Sequence, residues 1–272
     1  MSGIKIKHQP LSLVIIGCGN VAWHLAKRIA KNENHQLKIY NHKDNGELQM
    51  FKDKFACEVF GNFKNIDKTA DYYFICVSDQ AIPAVVKLIK VSSLKGVVMH
   101  CAGSQPLSLL GSKAKNTAVF YPLQTFTKAD KIHWSDVPII LEANHPSILP
   151  RLQNMAAMFS NNINILSYQE RLQLHLAAVF ANNFTNALFV EAYRLLPKVN
   201  DAHHDLLLPL IQQTVLKLER VHPLNAQTGP AKRHDNAAME QHLKLLKDNQ
   251  TLKKIYKDLS DLIMQQQKHI HD

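Results

Sequence analysis

Three small residues at close spacing form the pattern in this sequence that most directly implies chemistry. Residues 13–22 have the sequence LVIIGCGNVA, in which an apolar run leads into the spacing G-x-G-x-x-A. Where a strand meets a helix, the first glycine permits a tight turn, the second lets the backbone approach a diphosphate, and the alanine allows close helix packing. The helix start adds N–H groups and a partial positive charge. The pattern predicts a dinucleotide-binding site, with a purely structural turn as the alternative, at Gly17, Gly19, Asn20, Val21 and Ala22.

The residues after the second apolar run bear on which dinucleotide binds. Tyr40 is followed by Asn41, His42 and Lys43, and the first acidic residue is Asp44. A carboxylate at this place bonds the ribose of NAD, whereas a cation accommodates the additional phosphate of NADP. We therefore expect NADP in preference to NAD, with Asn41, His42 and Lys43 as its contacts. The alternative is that His42 and Lys43 are ordinary surface residues.

Two later apolar runs, at 73–77 and 97–100, lead into short loops. Ligands of open α/β sheets bind at the carboxyl ends of parallel strands. We therefore expect the cofactor site to include Val77, Ser78, Asp79, Cys101, Ala102 and Gly103. Helix capping is the alternative for Asp79 and for Ser104. His100 closes the second run and is a candidate catalytic or nicotinamide-positioning residue, with a structural histidine as the alternative.

Alternating strands and helices must position these residues. Up to about residue 165, short apolar runs suited to strands covered on both faces alternate with segments of helical periodicity. This alternation predicts a parallel sheet with right-handed helical crossovers. Long helices are expected at 169–196, 201–222 and 237–267, the last broken near Asn249. The first has a broad apolar face, which predicts a buried central helix. An α/β domain is thus followed by an all-α domain, with the boundary near Ser167.

Composition narrows the class of protein. Of 272 residues, 46% are apolar and 20% are charged, which excludes wholesale disorder. The 32 Lys and Arg exceed the 22 Asp and Glu, and this net charge of +10 favours anionic partners such as phosphorylated cofactors, although a solvated surface is the commoner explanation of such a charge. The sequence has no nucleic-acid-binding motif and no run of about 18 uncharged apolar residues. We therefore expect no nucleic-acid partner and no membrane partner.

Four isolated cysteines indicate the redox environment. They are Cys18, Cys57, Cys76 and Cys101, and no two of them have C-x-x-C spacing. Reduced thiols are typical of cytoplasmic proteins, so we expect a cytoplasmic location and no bound metal.

The chain resembles a known family through the order of five motifs. They are GCGNVA at 17–22, HCAGS at 100–104, FYPLQTF at 120–126, FANNFTN at 180–186 and TGPAKR at 228–233. This order spans nearly the whole chain and is similar to that of bacterial proteins assigned as NADP oxidoreductases, which have a Rossmann-like N-terminal domain and a C-terminal domain of unknown function. More distantly, the chain resembles pyrroline-5-carboxylate reductase and the 6-phosphogluconate dehydrogenase-like enzymes.

The resemblance implies an α/β Rossmann domain with a mostly parallel, doubly wound sheet, followed by an all-α domain of the 6-phosphogluconate dehydrogenase C-terminal type. The change of pattern near Ser167 sets the predicted bounds at 1–166 for the dinucleotide-binding domain and 167–272 for the substrate and dimerisation domain. In the distant relatives the helical domain forms the dimer and closes over the nicotinamide, so we expect a homodimer. The resemblance implies no particular substrate.

One departure from these relatives concerns the proton donor. Many β-hydroxyacid dehydrogenases carry Lys-x-x-Asn on the first long helix of the second domain, with the lysine as acid/base. Aligned on Asn182, this pattern places Val179 at the lysine position. His175 lies one turn earlier on the face that carries Asn183, and imidazole suits acid/base chemistry. His175 is therefore a second candidate catalytic residue, with a surface or interface histidine as the alternative.

Polar residues elsewhere are candidate substrate contacts. Asn182 and Asn183 interrupt an apolar helix face, and buried amides must be paired with a ligand, another subunit or a structural network. Gln124 could line the same cleft, and Arg233 could bind the acid group of an anionic small-molecule substrate. The leading hypothesis is an oxidoreductase that transfers hydride between NADPH and a small imine, ketone or acid. The alternative is a non-catalytic dinucleotide-binding protein with a sensing or structural role.

Overall fold

The computed structural model describes residues 9–197 and 204–268. The chain divides into two compact units, Met1–Ala187 and Leu188–Asp272. The strands of the first unit are β1 (Ser12–Ile16), β2 (Gln36–Tyr40), β3 (Glu58–Phe60), β4 (Tyr72–Ile75), β5 (Val97–His100), β6 (Thr117–Pro122), β7 (Ile139–Ala143) and β8 (Ile163–Ile165). Its helices between strands are α1 (Asn20–Ile29), α2 (Gly46–Phe55), α3 (Ile82–Ile89) and α4 (Leu149–Ala156).

The eight strands form one sheet in the spatial order β3-β2-β1-β4-β5-β6-β7-β8. Neighbouring strands are parallel, except that β7 runs antiparallel to β6. The order of strand addition reverses between β1 and β4, and such a topological switch point is where open α/β sheets bind ligands. The predicted mostly parallel, doubly wound sheet is confirmed.

Burial on both faces explains why the strands have uninterrupted apolar sequences. In β1, Leu13 and Ile15 belong to the core on one face of the sheet, and Val14 and Ile16 belong to the core on the other. All four side chains are fully buried. The edge strand β3 is not predicted from the sequence, because Glu58 is exposed and Val59 and Phe60 are only partly buried, so these residues lack the apolar run of a strand covered on both faces.

Helices follow β8. A capping box formed by Ser167 and Glu170 starts α5 (Tyr168–Ala178), which continues through a π-helical turn at Val179–Phe184 into α6 (Thr185–Arg194). The remaining helices are α7 (His204–Lys217), α8 (Pro223–Ala226), α9 (Asn236–Leu245) and α10 (Gln250–Lys268). The predicted break near Asn249 is present. Residues 201–203, the start of a predicted helix, lie outside the described residues.

The predicted boundary at 166/167 coincides with the change from sheet to helix, whereas the compact units divide between Ala187 and Leu188. The boundary of the functional domains therefore stays a prediction. Within residues 9–197 and 204–268, no helix combines the length and the apolar character needed to cross a membrane.

The apolar face of the long helix differs from the expectation of a buried central helix. Leu176, Phe180 and Phe184 are spaced four residues apart on α5 and the π-helical turn, and they are 57%, 61% and 50% exposed. This face is exposed in the single chain, and its burial against a second copy of the chain stays a prediction.

Candidate functional site

The turn between β1 and α1 has the geometry that the glycine spacing predicts. Gly17 has a φ of +110°, and a Cβ atom there would lie 2.4 Å from the carbonyl oxygen of Cys76, so only glycine fits. Its N–H donates to the carbonyl of Tyr40 at 2.8 Å. Ala22 is fully buried beneath the turn. Gly17 and Ala22 therefore shape the turn and are not exposed to a ligand.

The start of α1 is open for an anion. Gly19 is the N-cap residue, no side chain caps the helix, and its first turn contains no acidic residue. A Cβ atom on Gly19 would meet only the carbonyl oxygen of Cys76, at 3.9 Å, so the space in front of the helix start is free. The N–H groups of a first helical turn lack intrahelical acceptors and attract negative charge. The site therefore fits the diphosphate of a dinucleotide.

A cavity of about 730 Å³ extends from this helix start. Its wall includes Gly19, Asn20 and Val21 from the start of α1, Cys76–Asp79 after β4, and Cys101 and Ala102 after β5. Residues from Tyr121 to Phe126 at the end of β6 form another part of the wall. The long helix supplies His175, Ala178, Val179, Ala181, Asn182 and Asn183. The cavity thus lies at the carboxyl ends of parallel strands, on the switch point of the sheet.

Twelve of the predicted site residues line this cavity. They are Gly19, Asn20, Val21, Val77, Ser78, Asp79, Cys101, Ala102, Gln124, His175, Asn182 and Asn183. The structure therefore brings together candidate cofactor contacts, candidate substrate contacts and one candidate catalytic residue.

Side-chain hydrogen bonds join the loops after β4 and β5. The hydroxyl of Ser104 and the amide of Gln105 both donate to Oδ2 of Asp79, each at 3.1 Å. Asp79 and Ser104 therefore do not serve only as helix caps, because their side chains form a hydrogen bond with each other across the two loops.

Tyr121 and His175 form a pair on the cavity wall. The hydroxyl oxygen of Tyr121 lies 3.3 Å from Nδ1 of His175, within hydrogen-bond distance. Burial raises the pKa of Tyr121, and the positive charge of Arg171 partly opposes this, so the hydroxyl keeps its proton at neutral pH. A Cβ atom on Gly103 would lie 2.6 Å from Cζ of Tyr121 and 2.8 Å from Nδ1 of His175. Gly103 is therefore a packing residue that lets this pair approach the loop after β5.

Arg171 holds the same loop from inside the protein. Its side chain is fully buried and donates to the carbonyl oxygens of Gly103, at 2.5 Å, and Ala102, at 3.3 Å. It also forms an ion pair with Glu142, with Nη2 and Oε2 2.7 Å apart. A buried guanidinium is stable only when such partners surround it.

His100 lies beneath the site. Its ring is fully buried, Nδ1 accepts a hydrogen bond from the N–H of Ala102 at 3.3 Å, and Nε2 has no hydrogen-bond partner among the described residues. Burial, with the charge of Arg171, lowers the pKa of His100 from 6.5 to about 4. His100 does not line the cavity, so the geometry gives no contact to support the catalytic role predicted for it.

The long helix departs from regular α geometry where it meets the cavity. The π-helical turn includes Val179, Asn182 and Asn183, and the hydroxyl of Thr185 donates to the carbonyl of Phe180 at 3.0 Å. π-helical turns inside α-helices occur frequently at functional sites. Asn182 and Asn183 are exposed to the cavity, which fits contact with a ligand or with a second subunit better than a buried structural network.

A second cavity, of about 560 Å³, adjoins the first at Gly19 and Asn20. It is further lined by Cys18, Asn41, Asn45, Glu47 and Lys128. Asn41 is thus placed as predicted. His42 and Lys43 are exposed and line neither cavity, so their prediction as cofactor contacts is not supported, and the alternative of ordinary surface residues fits them.

Comparisons with known proteins agree with a dinucleotide-binding domain followed by a second domain. Residues 12–100 match the family described as NADP oxidoreductase, coenzyme F420-dependent, and residues 137–263 match a domain of unknown function, DUF2520. The crystal structure of a Bacteroides fragilis protein assigned as an NADP oxidoreductase is 30% identical over 94% of this chain and 99% of its own, with a TM-score of 0.86. The chain belongs to this NADP oxidoreductase family. The resemblance stated from the motifs is confirmed, and membership places the protein among the NAD(P)-dependent oxidoreductases.

Other solved structures share the fold of this family member. A Thermotoga maritima protein is 18% identical over 94% of this chain and 99% of its own, with a TM-score of 0.77. A pyrroline-5-carboxylate reductase from Streptococcus pyogenes is 15% identical over 95% of this chain and 100% of its own, with a TM-score of 0.57. No curated protein matches the chain significantly.

Some residues of the candidate site are not predicted from the sequence. Tyr121, Asn45, Glu47 and Lys128 line the cavities, and Arg171 supports the loop after β5, without any local spacing that singles them out. Tyr121 does fall within one of the family motifs, at residues 120–126, which is the one signal that could have drawn attention to it.

Arg233 belongs to the second unit. It lies in the turn between α8 and α9, its side chain is exposed, and its N–H donates to the carbonyl of Pro230 at 3.1 Å. Asp235 then caps α9 by accepting from the N–H of Ala238 at 3.0 Å. The role of Arg233 as a contact for an acid group stays a prediction.

Proposed function

We propose that the protein transfers a hydride between NADPH and a small imine, ketone or acid. One observation carries this proposal: the cavity that begins at the open start of α1 also contains the Tyr121–His175 pair and the exposed amides of Asn182 and Asn183. An oxidoreductase of this class needs a dinucleotide, a proton donor and groups that orient the substrate in one space.

The residues at the start of α1 and after β4 and β5 could hold a dinucleotide. The N–H groups at Asn20 and Val21 would hold the diphosphate at the uncapped helix start, and Val77, Ser78 and Ala102 would flank the nicotinamide. When bound, the reduced nicotinamide supplies the hydride. The protein itself contributes position and electrostatics.

The proton requires a group of the protein. Reduction of a C=N or C=O bond adds a proton to the heteroatom, and Val179 cannot supply it from the position of the lysine in the dehydrogenases. His175 lines the cavity one turn earlier and is in hydrogen-bond contact with the hydroxyl of Tyr121. We therefore assign the proton to the His175 imidazole, with Tyr121 as its orienting partner and Gln124, Asn182 and Asn183 as amides that orient the substrate.

Binding and turnover test this proposal separately. Fluorescence titration with NADPH and NADH measures the affinity, and oxidation of NADPH with a panel of small imines, ketones and oxo acids measures turnover. His175→Asn should lower kcat by about 100- to 10,000-fold with cofactor affinity unchanged, the range for loss of a general acid. His145→Asn, at an exposed position outside the cavity, is the matched control.

The possible results distinguish the two hypotheses. If the wild-type protein binds neither dinucleotide at physiological concentrations, the proposal is lost. If it binds NADPH but oxidises it with no member of the panel, the result favours the alternative hypothesis of a non-catalytic protein with a sensing or structural role.

We also propose that the protein is a homodimer. The exposed apolar face at Leu176, Phe180 and Phe184 supports this, as do exposed leucines of α7, since soluble monomers rarely leave large contiguous apolar surfaces uncovered. Light scattering at micromolar protein should give twice the chain mass, and a monomeric mass would contradict the proposal.

We further propose a cytoplasmic location, which the free thiols of Cys18, Cys57, Cys76 and Cys101 support.

A further inference from the structure

The second cavity contains a cation that comes from a distant part of the sequence. Lys128 belongs to the segment after β6, 81 positions from Glu47, yet its side chain forms an ion pair with that of Glu47 in the first turn of α2. Of the described residues that line this cavity, Lys128 is the one with a cationic side chain. Asn41 and Asn45 lie on the same wall.

Aromatic rings fix the position of the Lys128 ammonium group. Nζ lies 5.6 Å from the ring centre of Trp23 on α1 and 6.0 Å from that of Phe51 on α2. The side chain is only 24% exposed, so its stem is held between the two helices. A cation that is held in place loses less side-chain entropy when it binds an anion than a free surface lysine does.

The cavity also adjoins the open start of α1 at Gly19 and Asn20. A dinucleotide whose diphosphate rests on that helix start carries its adenosine ribose toward the end of β2, the place where NAD and NADP are distinguished. The cations predicted there, His42 and Lys43, do not line the cavity.

We infer that Lys128 is the residue that selects NADP, by binding the 2′-phosphate of its adenosine ribose. In the protein without cofactor, Lys128 forms an ion pair with Glu47. When NADP binds, the ammonium group exchanges this carboxylate for the 2′-phosphate. Asn41 and Asn45 supply amide groups beside it. This inference rests on the proposed function, because it takes dinucleotide binding as given and identifies what determines the choice of dinucleotide.

Calorimetric titration of the purified full chain with NADPH and with NADH tests the inference without measuring activity. Lys128→Met should weaken NADPH binding by about 10- to 100-fold, the range for loss of one charge-assisted hydrogen bond, and should change NADH binding less than about twofold. Lys131→Met is the charge-matched control from the same segment, since Lys131 does not line this cavity. Lys43→Met tests the competing assignment at the end of β2.

A second variant keeps the inference falsifiable if Lys128→Met does not fold. Glu47→Gln removes a carboxylate that would face the phosphate, from a side chain that is 51% exposed. It should strengthen NADPH binding by about 3- to 10-fold and leave NADH binding unchanged or weaker.

Each result has one consequence. A selective loss of NADPH affinity in Lys128→Met, with Lys131→Met unchanged, supports the inference. Equal losses for both dinucleotides, no loss, or a selective loss in Lys43→Met overturns it and leaves the proposed function standing. A wild-type protein that binds only NADH overturns the inference together with the choice of NADPH in the proposed function, and leaves hydride transfer from a dinucleotide as the proposal. A wild-type protein that binds neither dinucleotide overturns the proposed function and this inference together.

Discussion

Gly19→Asp should separate folding from cofactor binding, because one carboxylate favours the first and opposes the second. Gly19 is the N-cap residue of α1 with φ −76° and ψ −175°, a conformation that any residue adopts. A Cβ atom there meets only the carbonyl oxygen of Cys76, at 3.9 Å. An aspartate at an N-cap accepts hydrogen bonds from the first helical turn, and relative to glycine it stabilises the fold by about a few tenths of a kcal/mol. The free energy of unfolding should therefore stay equal or rise.

Cofactor binding should move the other way. The diphosphate would use the same N–H groups at the start of α1, so the carboxylate both occupies these donors and repels the ligand. Two unit charges about 4 Å apart repel by about 4 kcal/mol at the effective dielectric constant of a protein surface, and salt reduces this. We expect a loss of about 2–4 kcal/mol, which corresponds to NADPH binding that is about 30- to 700-fold weaker.

Urea denaturation and NADPH titration on the same preparation measure both effects. Gly19→Asn is the matched control, because asparagine caps a helix equally well and carries no charge. Its loss of affinity should be clearly smaller than that of Gly19→Asp. If Gly19→Asp binds NADPH within about threefold of the wild type, the diphosphate does not rest on α1 and the reasoning is refuted.

Three further predictions concern the supports of the site. Gly17→Ala should lower the free energy of unfolding by about 2–4 kcal/mol, because φ is +110° and the new Cβ would lie 2.4 Å from the Cys76 carbonyl; a urea midpoint equal to wild type would contradict this. Arg171→Met should cost about 3–5 kcal/mol by the same assay, since it leaves Glu142 and two loop carbonyls without their buried partner, and a loss below about 1 kcal/mol would refute that role. The pKa of His100 is about 4 in the folded protein and 6.5 in the unfolded chain, so unfolding takes up a proton between these pH values. The free energy of unfolding should therefore fall by up to about 3 kcal/mol as the pH drops from 6.5 toward 4. A His100→Leu variant with the same pH dependence would exclude His100 as the cause.

Local sequence pattern is enough to predict the sheet and the glycine turn. A strand covered on both faces must be apolar at every position, so a run such as 97–100 coincides with β5, Val97–His100. The turn at Gly17 depends on φ, which a glycine at fixed spacing reveals directly. Three residues at the sheet edge, Glu58–Phe60, carry no such constraint and are missed.

The site residues that the sequence does not reveal make contacts between distant segments. Tyr121 and His175 are 54 positions apart, and Lys128 and Glu47 are 81 apart. Neither helical nor strand periodicity describes such pairs, because periodicity reports only which face of an element a residue occupies. The same limit explains why Lys43, in the loop after β2, is the obvious cation in the sequence although Lys128 lines the cavity.

The π-helical turn is missed for a different reason. The predicted helix 169–196 is present in outline, but six of its residues, Val179–Phe184, shift their hydrogen-bond pattern where the helix meets the cavity. Helix propensity is a preference of each single residue, so it does not predict a change in the hydrogen-bond pattern of six consecutive residues. The apolar spacing of this helix indicates which face is to be buried, but it does not identify what covers that face.

The crystal structure of the protein with bound NADP tests the central claim most directly. The account predicts diphosphate oxygens within about 3 Å of the backbone nitrogens of Asn20 and Val21, at the start of α1, and the nicotinamide in the cavity beside Tyr121 and His175. A diphosphate bound elsewhere, or side chains that fill the space in front of Gly19 in that crystal, would contradict it.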